Sequence, residues 1–170
     1  MVDRNIDKSI KRTQLRPLAS NKINIQEAIF LLLLFLLLSL IILLQFNLKA
    51  IIFGILSMPF VILYPFMKRV TFWPQVFLGI TFSWGVLIVS AQFNQSITLQ
   101  FILLYFACVI WTVGYDTIYA YQDKEDDIKH NIKSTAVLFG NYGKWLVLSC
   151  YFIVLLIFGY LGWNSSNSPI

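Results

Sequence analysis

The sequence predicts an all-α fold, a polytopic transmembrane helical bundle of about five spans, and three observations carry that expectation. Of the 170 residues, 58% are hydrophobic and only 12% charged, with mean hydropathy +0.73. An average soluble domain carries about 45–50% apolar and about 25% charged residues, so this much apolar surface makes the bilayer the solvent. The apolar residues also fall into five continuous runs, each near the roughly 20 residues a membrane-crossing helix needs. Finally, the charged residues gather in the connections, mostly on one membrane face.

The runs are approximately Ala28–Phe46, Leu48–Met67, Phe72–Ala91, Ile97–Tyr115 and Trp145–Trp163. Each is continuous rather than alternating and must satisfy its own backbone in lipid, so each predicts a helix. Pro59, Pro65 and Pro74 mark kinks or ends of the second and third spans. Gly54, Gly79, Gly85 and Gly114 lie inside spans and predict close helix contacts. Cys108 and Cys150 sit within apolar runs and read as small buried hydrophobes rather than metal or redox groups. His130 has no partner histidine or cysteine and reads as a solvated loop residue. The first 23 residues are polar and basic and show no signal-peptide pattern.

Placing the first segment in the cytoplasm puts all but Lys49 of the 13 Lys and Arg on the inner face, a strong positive-inside signal. The outer connections then lie around Lys49 and Asn94. The net charge of +5 falls where anionic headgroups attract it, so the expected partner is the lipid bilayer and not nucleic acid.

Of the eight acids, only Glu27 lies outside two clusters: Asp3 with Asp7, and Asp116 with Asp123, Glu125, Asp126 and Asp127. Both clusters fall on the same face. Asp3 and Asp7 share a helix face if their segment is helical, and Asp116, Asp123 and Asp127 return to one face at 3.6 residues per turn. Facing carboxylates about 4 Å apart would repel by about 4 kcal/mol per pair at an effective dielectric of 20, which divalent cations relieve. Magnesium favours a few carboxylates plus phosphate oxygens, and Lys8, Arg12, Lys68 and Arg69 suit the remaining phosphate charge. Arg12 and Arg16 could equally anchor lipid headgroups. Carboxylates and bases at the mouth of an apolar bundle describe a site for a lipid diphosphate. A cation pathway would instead need acids near the bilayer midplane.

These residues also carry a resemblance. DTIYAYQDKEDDIKHNIKSTAVLFG (Asp116–Gly140) resembles the second aspartate-rich motif of the UbiA-type aromatic prenyltransferases, and VDRNIDKSIKRTQLRPLAS (Val2–Ser20) the tail of their first. Between them, YPFMKR (Tyr64–Arg69) and WPQVFLG (Trp73–Gly79) are similar to a loop of the 4-hydroxybenzoate branch. The resemblance covers nearly the whole chain and implies one partial domain over residues 1–170, with residues 1–23 and 116–143 as cytoplasmic loops of a plasma (inner) membrane protein.

The resemblance implies an intramembrane enzyme of ubiquinone biosynthesis that moves a polyprenyl group from polyprenyl diphosphate to 4-hydroxybenzoate or a related aromatic acceptor. In that family the allylic C–O bond ionises and the ring attacks the carbocation. By motif position Asp3, Asp7, Asp116, Asp123 and Asp127 bind magnesium and diphosphate. Asp116, Lys68 and Arg69 are the catalytic candidates, and Tyr64, Lys68, Arg69, Arg12 and Lys8 the substrate-binding ones; Tyr119 and Tyr121 read as packing residues. Family members have about nine spans, and Met1 falls where the third residue of the first motif would be. The expectation is therefore a truncated or split product, inactive alone, with the missing helices supplied as a separate chain. Its alternatives are an inactive membrane fragment and an enzyme for another aromatic acceptor.

Overall fold

A computed structural model describes residues 3–10, 12–93 and 97–166; the outer connection at Asn94 and the last four residues lie outside these. The chain divides into two compact units, residues 1–46 and 47–170.

In the first unit, α1 (Arg4–Ser9) starts at Asp3 and is followed by turns leading into α2 (Ile25–Leu43). Ile10, Thr13 and Ala19 are buried. The Arg4 guanidinium ties them together, donating to the Leu18 carbonyl (3.1 Å) and the Asn21 side chain (2.7 Å). A capping box opens α2 at Asn24: its side chain accepts from the Glu27 amide at 2.8 Å, and the Glu27 carboxylate accepts from the Asn24 amide at 2.9 Å. Here is the reason that one acid stands outside the two clusters, since a carboxylate at the third helical position caps and complements the helix dipole. The same cap starts the helix three residues before the predicted Ala28. No residue of α2 is buried, as befits a helix apolar on every side.

The second unit contains α3 (Leu48–Val70), α4 (Pro74–Phe82), α5 (Gly85–Phe93), α6 (Leu99–Gln122), α7 (Lys124–Lys129), α8 (Thr135–Phe139) and α9 (Gly143–Ser166). Counting α4 and α5 as one, five helical segments among the described residues are long and apolar enough to cross a membrane. The central helix is α6, packed on α4 along one side and α9 along another. Two of the predicted glycines make these approaches possible. A Cβ on Gly79 would lie 2.8 Å from the Val109 carbonyl oxygen, and one on Gly114 would lie 3.4 Å from Cys150 and the Tyr151 ring. Gly54 is buried in α3. Gly85 differs from expectation: nothing lies within 4 Å of a Cβ there, because it opens α5 rather than facing a neighbour.

The third span is not continuous. Trp84 donates its amide to Thr81 (3.4 Å) instead of reaching Ile80, which would be its α-helical acceptor. The Ile80 carbonyl accepts from the Tyr105 hydroxyl at 3.2 Å, and the Trp84 indole N–H donates to the Phe53 carbonyl at 2.8 Å. Lipid offers no partner to an opened backbone group, so a break there survives only with such substitutes. Phe60 lies tilted against Trp84 with centroids 4.9 Å apart, and Tyr105 meets it edge to face at 6.3 Å. On the other flank, Asn47 caps α3 and donates to the Ala91 and Gln92 carbonyls at 2.9 and 2.8 Å, closing the helix ends of α3 and α5 together.

Candidate functional site

The polar residues of the second unit converge where α3, α4 and α6 end or begin. Lys68 and Arg69 occupy the last turn of α3 and are exposed, where cations favour the helix C-terminus. Tyr64, one turn earlier, is half-buried. Asp116 lies near the end of α6, half-buried, and the Lys68 ammonium acts on it electrostatically.

Sequence spacing placed Asp116, Asp123 and Asp127 on one helix face, but the helix ends first. Asp123 closes α6 with φ −103° and ψ 2°, and α7 starts afresh at Lys124. Asp127 is therefore carried on a separate short helix and is buried, 9% exposed. Burial pushes its carboxyl above the ordinary carboxylate range; a hydrogen bond from Ser134 and the charge of Lys68 pull it back, while Asp123 and Asp126 add to the rise. The charge of Lys68 thus reaches carboxylates on two helices. Asp126 turns to Lys129 instead, 3.7 Å away.

The stretch 132–135 holds this arrangement. The Lys133 amide donates to the Lys68 carbonyl at 2.8 Å and its ammonium to the Val70 carbonyl at 3.0 Å, over the Phe72 ring. The Thr135 amide donates to the Gln75 side chain at 3.2 Å, and the Thr135 and Thr117 hydroxyls share a hydrogen bond of 2.8 Å. Sequence reading used the stretches that hold Gln75, Thr117, Lys133, Ser134 and Thr135 only for their resemblance and gave these five residues no role of their own. The signal available was a glutamine directly after the helix-starting Pro74, a polar residue a buried span does not carry without a partner. Tyr121 proves to be a latch: its hydroxyl donates to the Gly140 carbonyl and its ring lies where a Cβ on Gly143 would stand.

One turn along α6 from Asp116 a largely apolar cavity of about 560 Å³ opens, lined by Phe82, Ser83, Cys108, Trp111, Thr112, Tyr115 and Phe158 among others.

In the first unit, Asp7 is paired with Arg16 at 2.9 Å, so Arg16 serves its own loop. Asp3 begins α1, and Lys8 and Arg12 are exposed.

Among the described residues no three His, Cys, Asp or Glu side chains form a ready-made metal cluster. A divalent cation that binds through one or two carboxylates plus substrate phosphates would find carboxylates of that kind in the half-buried Asp116 and the buried Asp127.

These features define a multi-spanning helical membrane protein with a polar, carboxylate-bearing site at its helix ends beside an apolar cavity. The chain belongs to the UbiA prenyltransferase family, whose model matches residues 1–169. It is 41% identical to a 4-hydroxybenzoate octaprenyltransferase of Coxiella burnetii over 95% of this chain and 56% of that protein. It is 43% identical to 4-hydroxybenzoate geranyltransferase 1 of Lithospermum erythrorhizon over 92% and 52% of the two chains. A mitochondrial 4-hydroxybenzoate polyprenyltransferase of Drosophila melanogaster is 48% identical over 85% of this chain and 37% of its own. The chain thus spans about half the length of the curated bacterial and plant relatives it matches. No solved structure matches it. Members of this family are generally metal-dependent.

Proposed function

We propose that this chain carries the diphosphate-binding face of an intramembrane enzyme that transfers a polyprenyl group from polyprenyl diphosphate to 4-hydroxybenzoate, in ubiquinone biosynthesis. The observation carrying the reading is that the 132–135 stretch ties Lys68 at the end of α3, the buried Asp127 of α7 and Thr117 beside Asp116 on α6 to one another, beside an apolar cavity. Relatives named for 4-hydroxybenzoate support the acceptor.

Lys68 and Arg69 take the diphosphate oxygens and stabilise the charge that grows on the leaving group. Asp116, Asp123 and Asp127 would hold magnesium, which when bound neutralises further diphosphate charge; Asp3 and Asp7 are assigned the same ligand by motif position. Tyr64 lies one turn from Lys68 and is assigned to the acceptor, while Lys8 and Arg12 serve phosphate or lipid headgroups. The cavity walls keep water from the allylic cation. Both aspartate-bearing segments face the cytoplasm of an inner membrane, by the basic-residue asymmetry. Further helices, on the same polypeptide or a separate chain, complete the bundle.

A chimera in which this chain replaces the matched segment of the C. burnetii relative tests the reading. Membranes supplied with octaprenyl diphosphate, 4-hydroxybenzoate and magnesium should form prenylated benzoate, and Lys68→Met or Asp116→Asn should lower turnover about a hundredfold or more. Equal turnover in both variants would refute the assignment.

A further inference from the structure

The candidate carboxylates stand on different helices, and neither α6 nor α7 alone fixes their spacing. Asp116 moves with α6, Asp127 with the six-residue α7, and Lys68 with the end of α3. A helix that short does not hold itself in place. What joins the three is the strap 132–135, whose polar atoms reach α3, α4, α6 and α7. Its Lys133 amide and ammonium take the carbonyls of Lys68 and Val70 on α3. Its Ile132 amide donates to the Asp127 carbonyl at 2.8 Å, and its Ser134 hydroxyl caps α8 by accepting from the Val137 amide at 3.3 Å. Its Thr135 amide bonds Gln75 on α4, and its Thr135 hydroxyl meets Thr117, the residue after Asp116 on α6.

These partners are sealed from water and lipid alike: Thr117 and Thr135 are 0% exposed and Gln75 is 2% exposed. A buried polar chain with every link made is rigid, and one with a link removed strands its neighbour. Ordinary packing does not account for a glutamine and two threonines here, since apolar residues of the same shape would fill the space without demanding mutual partners.

We infer that the buried Gln75–Thr135–Thr117 chain, with Lys133 locked on the carbonyls of Lys68 and Val70, is a positioning device that sets Asp116 and Asp127 in register with Lys68. Gln75, Thr117, Lys133 and Thr135 are positioning residues: they touch no substrate, and act through the groups that do. The inference deepens the diphosphate reading and rests on it for its purpose, though not for its geometry.

Hydrogen exchange on the chain in lipid nanodiscs tests it, first without ligand. Thr135→Val and Gln75→Met should each speed exchange across residues 124–139 by about ten- to a hundredfold, with the interiors of α6 and α9 unaffected and Thr135→Ser restoring the wild-type rate. Unchanged exchange in 124–139, no recovery in Thr135→Ser, or equal acceleration throughout α6 and α9 would overturn the inference. Magnesium pyrophosphate is then added. It should slow exchange at Lys124–Lys129 in the wild-type chain, and Thr135→Val should need about ten- to a hundredfold more for the same effect. Failure of pyrophosphate to protect even the wild-type chain would sink the diphosphate reading, while the ligand-free comparison still decides the strap.

Discussion

Gly79→Ala is a severe test of the packing that carries the site, because what its Cβ would strike is backbone. The added carbon would stand 2.8 Å from the Val109 carbonyl oxygen and 3.1 and 3.2 Å from two other Val109 atoms, where ordinary contact begins at 3.4 Å. A carbonyl inside α6 cannot rotate away, so α4 must retreat from α6 by about 0.6 Å, the difference between 3.4 and 2.8 Å. Overpacking of this kind costs about 1–3 kcal/mol, against a gain of up to about 1 kcal/mol from replacing glycine in a helix. The net loss, up to about 2 kcal/mol, lowers the melting temperature of a chain this size by up to roughly 8 °C. Gly159→Ala is the control: nothing lies within 4 Å of its Cβ, so only the helix gain remains and the melting point should rise. Thermal unfolding in one detergent, followed by near-ultraviolet circular dichroism, reads both. A Gly79→Ala protein that melts at or above wild type would refute the close approach of α4 to α6.

Other perturbations separate the remaining contacts. Burial raises the Asp127 carboxyl above the ordinary range, so its protonated form is favoured on folding and stability falls as pH rises through the raised value. Metal-free melting curves should show that fall above the ordinary carboxylate range, and Asp127→Asn should flatten it. Tyr121→Phe removes the donor to Gly140 and should cost about 1 kcal/mol, read by thermal unfolding, with faster exchange at residues 138–142. For topology, single cysteines introduced at Gln45 and His130 should label from outside and inside the cell respectively; the reverse pattern would invert the orientation.

How much of this was legible follows from which signals are local. Spans were visible because continuous apolar runs admit only helix in lipid; the Asn24 cap moved the start of α2 three residues ahead of the predicted Ala28, while Asn47 starts α3 at Leu48 as predicted. The break at Ser83–Trp84 was not visible, since it depends on Tyr105 and Phe53, distant in sequence, to satisfy its backbone. Periodicity carried Asp116, Asp123 and Asp127 along one helix, but α6 ends at Gln122 and Asp127 reaches the neighbourhood of Lys68 on a new one. Charge marked Lys68 and the acids as candidates. The buried Gln75–Thr135–Thr117 chain had no role in the sequence because these neutral residues acquire meaning only through long-range partners.

Equilibrium binding decides whether Lys68, Asp116 and Asp127 form a metal-dependent diphosphate site. The chimera described above, purified in nanodiscs, would be titrated with a radiolabelled thiolo-diphosphate analogue of the prenyl donor, with magnesium or with chelator. The site predicts saturable binding that requires magnesium and weakens at least tenfold in each of Lys68→Met, Asp116→Asn and Asp127→Asn. Binding that survives both the chelator and all three substitutions would contradict it.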